Sequence, residues 1–337
     1  MQAEPPPIVE TRALCKRFAQ RPDLADQLAA FLTRRAPGST ELVAVDGVSL
    51  AVRRGEVLGL VGESGCGKST LGRTIAGIVA PTSGQVLLEG VDRATMPAAE
   101  RARTGLKLQM IFQDPMSSLN PRKRVIDIIG EAPLVHGLVT RAELDDYVCR
   151  QMLRVGLDPA YRRRLPHQFS GGQRQRVGIA RALAVQPDFL VCDEAIAALD
   201  VSIQAQVINL FIELREQLQL TYLFISHDLS VVEHVSDRIA IMYLGRIVEF
   251  AATGAFYQAP NHPYAQLLLA EVPRIGRARP DRAPSSGEIP SPLAPPSGCH
   301  FHPRCPHAFA RCRTETPLLR EIAPGHQSAC HLNDAND

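Results

Sequence analysis

No run of apolar residues in this chain of 337 approaches the roughly 18–20 that a membrane-spanning helix requires. Nor is one sign of charge in excess: 37 Lys and Arg stand against 35 Asp and Glu, a formal net charge of +2. The basic residues are spread along the chain. That argues against a nucleic-acid binder built on a basic face, which must neutralise many phosphates. The first ten residues carry no cationic, apolar leader and include Pro5, Pro6 and Pro7 in a row. A secretory signal is therefore not expected, and a cytosolic location is. What remains is an ordinary globular composition, 45% hydrophobic and 21% charged. The length suits one large domain, alone or with an appendage, that buries most of its apolar surface.

The eight cysteines divide evenly. Cys15, Cys66, Cys149 and Cys192 are scattered, whereas Cys299, Cys305, Cys312 and Cys330 crowd into the last 39 residues. In a reducing compartment disulfides are the poorer explanation of such a cluster and metal binding the better one.

Short apolar runs alternate with segments of helical period. Residues 56–61 predict a strand running into a glycine-rich turn, then a helix over 69–78. Further strands are predicted at 85–88 and 108–112. Leu144, Val148, Met152 and Val155 recur at spacings of three and four, which predicts a helix over 141–155. A buried strand at 189–192, a long helix over 201–218 and strands at 221–226 and 238–243 complete the set. Alternation of this kind implies an α/β fold with a largely parallel sheet covered on both faces. Residues 20–40 read as an insertion. From 272 to 297 the composition turns to Pro, Ser and Arg, as in an extended linker.

Gly62-Glu63-Ser64-Gly65-Cys66-Gly67-Lys68-Ser69-Thr70 fits G-x-x-x-x-G-K-[ST], directly after a predicted strand and directly before a predicted helix. Its glycines let successive backbone N–H groups turn inward around a phosphate, and the helix N-terminus adds partial positive charge. In that setting Lys68 reaches the β- and γ-phosphates and the Ser69 hydroxyl ligates Mg²⁺. By composition alone the pattern should occur in roughly one chain of this length in a hundred, and its context makes an incidental turn rarer still. A nucleotide site is expected here.

Phe189 to Glu194 is an apolar strand ending in two carboxylates. Phosphoryl transfer needs one carboxylate near Mg²⁺ and a group that orients or deprotonates the attacking water, roles that suit Asp193 and Glu194. Two acids at an exposed strand end would mean little without the phosphate loop. Ser170-Gly171-Gly172-Gln173 precedes a segment of helical period with Val177, Ala180, Leu183 and Ala184 on one face. Taken alone it is a helix N-cap. It also repeats the design of an anion site, with Ser170 as the capping hydroxyl. A chain that already has one phosphate cradle has little use for a second, so the segment is read as completing the site of another subunit.

The phosphate loop, Gln113 in Phe112-Gln113-Asp114-Pro115, the Ser170–Gln173 segment, Asp193-Glu194, Ala198-Leu199-Asp200 and Ser226-His227-Asp228 stand in the order of an ABC ATPase, which residues 8–270 resemble. The resemblance implies a P-loop NTPase with a RecA-like core, an antiparallel β subdomain and an α-helical subdomain at about 115–180. It implies ATP and Mg²⁺ as ligands, with Ser69, Gln113 and Asp193 at the metal. Glu194 is then the general base, His227 holds the γ-phosphate and the attacking water, and Asp200 communicates across a dimer. An aromatic residue should stack on adenine, and Phe18 is the candidate. His227 alone would read as a core histidine; its place after an apolar strand reverses that. One departure is visible: Ala195-Ile196-Ala197 stands where the family usually has Pro-Thr-Ser. Both acids survive, but the turn that positions Asp200 lacks proline stiffness and two hydroxyls.

After a Pro-rich linker at 271–298, the Cys-rich extension at 299–332 contains Gly298-Cys299-His300-Phe301-His302-Pro303-Arg304-Cys305-Pro306. This run resembles the C-terminal extension of the oligopeptide/dipeptide/nickel importer ATPases, as do residues 200–207 and Asn261-His262-Pro263-Tyr264. Four thiolates at Cys299, Cys305, Cys312 and Cys330 suit a [4Fe–4S] cluster or a tetrahedral zinc. The resemblance tilts towards iron–sulfur, while His302, His326 and His331 keep zinc open. It also implies a peripheral ATPase on the cytoplasmic face of the inner membrane. Its partners would be a sister or identical ATPase subunit, two permeases and an extracytoplasmic solute-binding protein, with no nucleic acid. The competing reading is a soluble ABC ATPase acting on ribosomes or nucleic acid. Such proteins carry paired cassettes or long coiled coils, and only 56 residues separate Gln113 from Ser170. An iron–sulfur sensor that binds ATP without turnover is a third. The transported solute is not encoded in this chain.

Overall fold

Apolar runs bounded by turn residues become the strands of the computed structural model, which describes residues 6–19, 41–114, 118–197, 199–272, 288 and 290–334. In chain order come β1 (Val9–Ala19), β2 (Glu41–Val52), β3 (Val57–Val61), α1 (Lys68–Ala76), β4 (Ser83–Leu88), β5 (Val91–Asp92), α2 (Ala98–Lys107), β6 (Leu108–Ile111), α3 (Val125–Val135), α4 (Leu144–Arg154) and α5 (Gly171–Leu183). There follow β7 (Phe189–Asp193), α6 (Val201–Leu218), β8 (Thr221–Ser226), α7 (Leu229–Val235), β9 (Arg238–Tyr243), β10 (Arg246–Ala252), α8 (Thr253–Gln258), α9 (Pro263–Glu271), α10 (Ala310–Thr314), β11 (Arg320–Ala323) and β12 (His326–Ser328). These elements form two compact units: one from described residues within 1–10, 51–60 and 87–238, the other from those within 11–50, 61–86 and 239–337.

In the first unit the strands lie in the order β3-β8-β7-β6. β6, β7 and β8 are parallel, with Ile111 opposite Cys192 and Asp193 opposite Ile225. Every residue of β7 and β8 is buried. That is why these strands read as unbroken apolar runs: helices cover both faces of a parallel sheet. Helix α6 buries Val207, Leu210, Phe211 and Leu214, at spacings of three and four. Its Phe211 ring meets Tyr222 and Phe224 edge-on, with centroids 5.8 and 5.9 Å away. Helices α3, α4 and α5 pack on one another. Gly130 permits that approach, because a Cβ there would stand 2.7 Å from Leu144 Cδ1. The expected helical face is in place, with Val148, Met152, Val177, Ala180 and Leu183 all buried.

In the second unit β2, β1 and β4 are neighbours in that order, and a separate run of strands is ordered β11-β12-β10-β9. Helix α1 starts one residue earlier than the sequence suggests and stops at Gly77, whose left-handed φ of 73° ends the ladder. The tail contributes the antiparallel hairpin β11–β12, whose second strand pairs with β10 through Glu249 opposite Ser328. The 20–40 insertion and most of the 271–298 linker lie outside the described residues. No helix among the described residues is long and apolar enough to cross a membrane.

Candidate nucleotide site

The phosphate loop follows β3 and opens α1, in the second unit. Gly67 is the residue before the helix, at φ 109°. Its conformation and surroundings both require glycine: a Cβ there would lie 2.0 Å from the Ala44 carbonyl oxygen. A Cβ on Gly62 would lie 2.2 Å from the Met242 carbonyl oxygen. Gly65 takes φ 79° at the exposed crown of the loop beside Ser64. Lys68 is 4% exposed, and its ammonium donates to the carbonyls of Gly62 at 2.7 Å and Glu63 at 2.9 Å. The cation is therefore already held at the mouth of the loop, where it meets a polyphosphate without first being ordered. Burial raises the Cys66 thiol above its ordinary value while the Lys68 charge opposes the shift, so Cys66 packs as a neutral thiol. Ser69 and Thr70, both half-buried, follow on the first turn of α1. This arrangement fits a Mg²⁺-bound nucleotide: a glycine hollow no side chain can fill, a fixed cation and a hydroxyl at Ser69.

Two residues that the sequence reading gave no role hold the same loop. The Glu63 N–H donates to Tyr264 Oη at 2.9 Å, and the Glu63 carboxylate pairs with Arg304. Their separations of 201 and 241 residues leave no local signal in the sequence.

The two sequence-predicted carboxylates lie in the first unit. Asp193, 1% exposed, ends β7, and Glu194 follows at φ 45°. A left-handed non-glycine residue costs on the order of 1–3 kcal/mol and persists only where its surroundings impose it. Here the Glu194 N–H donates to the Ile225 carbonyl at 3.0 Å, and its own carbonyl accepts from Ala197 N–H at 3.1 Å. The turn aims the carboxylate at two other sequence-predicted residues. Gln113 Nε2 donates to Glu194 Oε2 at 2.7 Å, and His227 Nδ1 lies 3.5 Å from Oε1. The Glu194 side chain is 13% exposed and that of His227 56%, so a shielded carboxylate faces an accessible imidazole. An amide, a carboxylate and an imidazole so arranged can hold a water and accept its proton.

Ser170 caps α5 as the sequence implies. Its hydroxyl accepts from Gln173 N–H at 3.3 Å, and Gln173 Oε1 accepts from Ser170 N–H at 3.0 Å, a capping box. Gly172 is needed for packing, since a Cβ there would stand 2.6 Å from Ile203 Cγ2 on α6. Ser170 and Gly171 are exposed and present their outer face to solvent. Asp200, also exposed, is the N-cap residue of α6, without a side-chain cap bond. The Ala195-Ile196-Ala197 turn is tied down by other means: Ala195 and Ile196 are buried, and Gln204 Nε2 donates to the carbonyls of Ile196 at 3.2 Å and Leu199 at 3.0 Å.

Phe18 lies near the end of β1, 38% exposed, with the Lys16 ammonium 4.8 Å from its ring centroid. The four tail cysteines are free thiols. Burial pushes Cys299 and Cys305 up and Cys330 up to about 11, the other thiols adding to the shift. They share a neighbourhood, yet among the described residues no three Cys, His, Asp or Glu side chains form a group able to hold a metal ion. The expectation of a [4Fe–4S] or zinc site finds no support in this arrangement.

Residues 45–197 match the family model described as ABC transporter, and residues 248–312 match that of the oligopeptide/dipeptide transporter C-terminal region. The chain is 51% identical over 297 residues to the oligopeptide transport ATP-binding protein AppF of Bacillus subtilis (strain 168), covering 87% of this chain and 90% of that protein. It is 46% identical over 325 residues to a putative peptide import ATP-binding protein of Brucella abortus (strain 2308), covering 96% and 97%. Among solved structures, cbiO1 of Clostridium perfringens, part of the ABC transporter complex cbiONQ, aligns with a TM-score of 0.61 at 24% identity over 75% of this chain and 91% of that one. The ATP-binding cassette MJ0796, a dimeric post-hydrolysis state bound to ADP and Pi, aligns with a TM-score of 0.61 at 24% identity over 73% and 98%. The fold is thus that of a P-loop ABC ATPase, and the chain belongs to the ATP-binding subunits of ABC transporters, in the branch that carries the oligopeptide/dipeptide C-terminal region.

Proposed function

We propose that this chain hydrolyses ATP to power the import of peptides or similar solutes, working as one of two ATPase subunits that close on ATP and reopen after hydrolysis. The relatives' names, oligopeptide transport and peptide import ATP-binding proteins, support the solute class. In this reading Lys68 and the amides of the phosphate loop hold the β- and γ-phosphates, and Phe18 stacks on the adenine. Ser69, Gln113 and Asp193 hold Mg²⁺, which when bound neutralises charge developing on the phosphate oxygens. Glu194 accepts the proton of the attacking water, and His227 steadies the γ-phosphate. Ser170 to Gln173 reach the nucleotide of the paired subunit, and Asp200 links the two sites. The pair, identical or sister chains, sits on the cytoplasmic face of the inner membrane against two permease subunits, fed by an extracytoplasmic solute-binding protein.

Glu194 carries this reading. A non-glycine residue held at φ 45°, its carboxylate 2.7 Å from Gln113 and 3.5 Å from His227, is backbone strain spent on aiming one acid. Glu194→Gln keeps shape and hydrogen bonding but removes the base. Turnover should fall by about 100-fold or more, the usual contribution of a positioned base. ATP binding should persist, and ATP-dependent dimers should accumulate on size-exclusion chromatography. A variant that turns over at the parental rate would remove Glu194 from the chemistry.

A further inference from the structure

Among the described residues, an ion pair links the C-terminal tail to the phosphate loop. The 298–305 turn is closed by the Cys299 N–H donating to the Cys312 carbonyl at 2.9 Å and the Arg304 N–H to the Phe301 carbonyl at 3.0 Å. Gly298 permits it, at φ 67°, where a Cβ would lie 2.5 Å from the Cys312 carbonyl oxygen. The turn drives Phe301, 1% exposed, between Tyr243 and Tyr264, with ring centroids 5.3 and 5.4 Å away. With Phe301 seated, Arg304 extends to Glu63 and makes a fork: Nη1 and Nη2 each donate to a carboxylate oxygen at 2.8 Å. The arginine side chain is 6% exposed and that of Glu63 18%, so the pair is largely shielded from water. Its guanidinium also lies 5.7 Å from the Phe301 ring centroid and 5.9 Å from that of Tyr243.

Glu63 is thereby held at three points. Its carboxylate takes the Arg304 fork, its N–H goes to Tyr264, and its carbonyl accepts from Lys68 at 2.9 Å. The last is the one that matters chemically, because that carbonyl orients the ammonium which meets the phosphates. The fork has a second effect. Glu63 is an acid in a loop whose purpose is to hold an anion, and Arg304 neutralises it.

We infer that Arg304 is a positioning residue for ATP binding: through its fork to Glu63, the C-terminal tail sets the phosphate loop and Lys68 and cancels a carboxylate that would otherwise repel the polyphosphate. This rests on the reading of residues 62–70 as the nucleotide site. The loop of an ATPase without such a tail residue would have to rely on its own backbone for both tasks.

The test measures ATP affinity and steady-state turnover in the full chain for Arg304→Ala, Glu63→Gln, the double variant and Lys68→Ala. Arg304→Ala should raise the dissociation constant and KM for ATP by about tenfold, equivalent to about 1.4 kcal/mol. Its kcat at saturating ATP should stay within about twofold, since neither Glu194 nor His227 is touched. Glu63→Gln added to Arg304→Ala should recover most of the lost affinity, because the repelling charge is gone. A residue that merely stabilised the tail would lower the melting temperature and leave that rescue and the KM–kcat split unseen. Parental ATP affinity in folded Arg304→Ala would overturn the inference, as would a double variant no better than Arg304→Ala. If Lys68→Ala also bound ATP like the parent, the nucleotide site itself would be misassigned, an outcome separable from failure of the Arg304 role alone. Should Arg304→Ala not fold, Arg304→Lys, which keeps the charge but loses the fork, must show an intermediate affinity; parental affinity there also overturns the inference.

Discussion

Glu249 offers the most direct measurement of how firmly the tail is tied to the body of its unit. It lies on β10, fully buried, and its carboxylate accepts three hydrogen bonds. Oε1 accepts from Asn261 N–H at 2.9 Å and from His326 Nε2 at 2.8 Å, and Oε2 accepts from His262 N–H at 2.7 Å. Two of these donors open α9, which carries Tyr264; the third belongs to β12 of the tail hairpin. Replacing Glu249 with Ala leaves all three without their acceptor in a dry site. At about 1–3 kcal/mol for each orphaned group, less what relaxation and entering water recover, unfolding should cost about 4 kcal/mol less. Glu249→Gln can keep its oxygen on the Oε1 side and set its NH₂ against only one donor, so about 2 kcal/mol is expected. His326→Ala removes one hydrogen bond to a charged acceptor, again about 2 kcal/mol. In the Glu249→Ala background the same histidine change should cost far less, a coupling of about 1–2 kcal/mol. Urea unfolding followed by far-UV circular dichroism suits the chain, which has no tryptophan to report by fluorescence. Strict additivity of Glu249→Ala and His326→Ala would show that the two do not share a bond, and a Glu249→Gln variant as damaged as Glu249→Ala would refute the count of orphaned donors.

Two further outcomes follow from buried geometry. Burial lowers His262 from its ordinary value near 6.5 to about 3, with its hydrogen bond to the Ala329 carbonyl opposing the shift. The unfolded chain therefore takes up a proton that the folded chain refuses, and stability drops as pH falls below 6.5 towards 3. Between pH 7 and pH 5 His262→Asn should remove about 2 kcal/mol of that loss, measured as the difference in unfolding free energy at the two values; equal losses in both proteins would contradict it. Gly172→Ala should destabilise by about 1–3 kcal/mol by overpacking against Ile203, and Ile203→Ala should restore part of it. No rescue in thermal melts would mean the glycine is required for something other than the approach of α5 to α6.

The helix α6 and the strands β8 and β9 begin and end where the sequence places them, because each is a long apolar or amphipathic run between clear breakers. The site was legible for a related reason. Gly62 to Thr70 and Ser170 to Gln173 are local motifs whose backbone conformation and chemistry are encoded within a few residues. Asp193, Glu194, Gln113 and His227 were readable mainly as members of an ordered set of motifs; the meeting of Gln113 and His227 at the Glu194 carboxylate depends on the parallel register of β6, β7 and β8. The tail hairpin was missed. All four residues of β11 are exposed, so it lacks the alternation that marks a half-buried strand, and only Pro324-Gly325 hints at a turn. The crowded cysteines were read as metal ligands from their spacing alone, and spacing along a chain does not itself say whether side chains converge in a ligating arrangement.

With Ala195-Ile196-Ala197 in place of Pro-Thr-Ser, the turn after the two acids is held without proline or its neighbouring hydroxyls. Proline would restrict the backbone after the two acids by limiting the unfolded ensemble. Here the restriction comes from contacts made only in the folded state. Ala195 is 2% and Ile196 4% exposed, which anchors the turn from below, and the Gln204 amide reaches back from the first turns of α6 to the carbonyls of Ile196 and Leu199. Asp200 then enters α6 as its N-cap residue, with its carbonyl accepting from Ile203 at 2.9 Å and Gln204 at 2.8 Å. The same Gln204 therefore closes the turn behind Asp200 and the helix ahead of it. The conformation of Glu194 depends on the start of that turn, since its carbonyl is the acceptor for Ala197. Losing the proline and the hydroxyls has not freed the acid, because strain at φ 45° is balanced by hydrogen bonds on both sides of it.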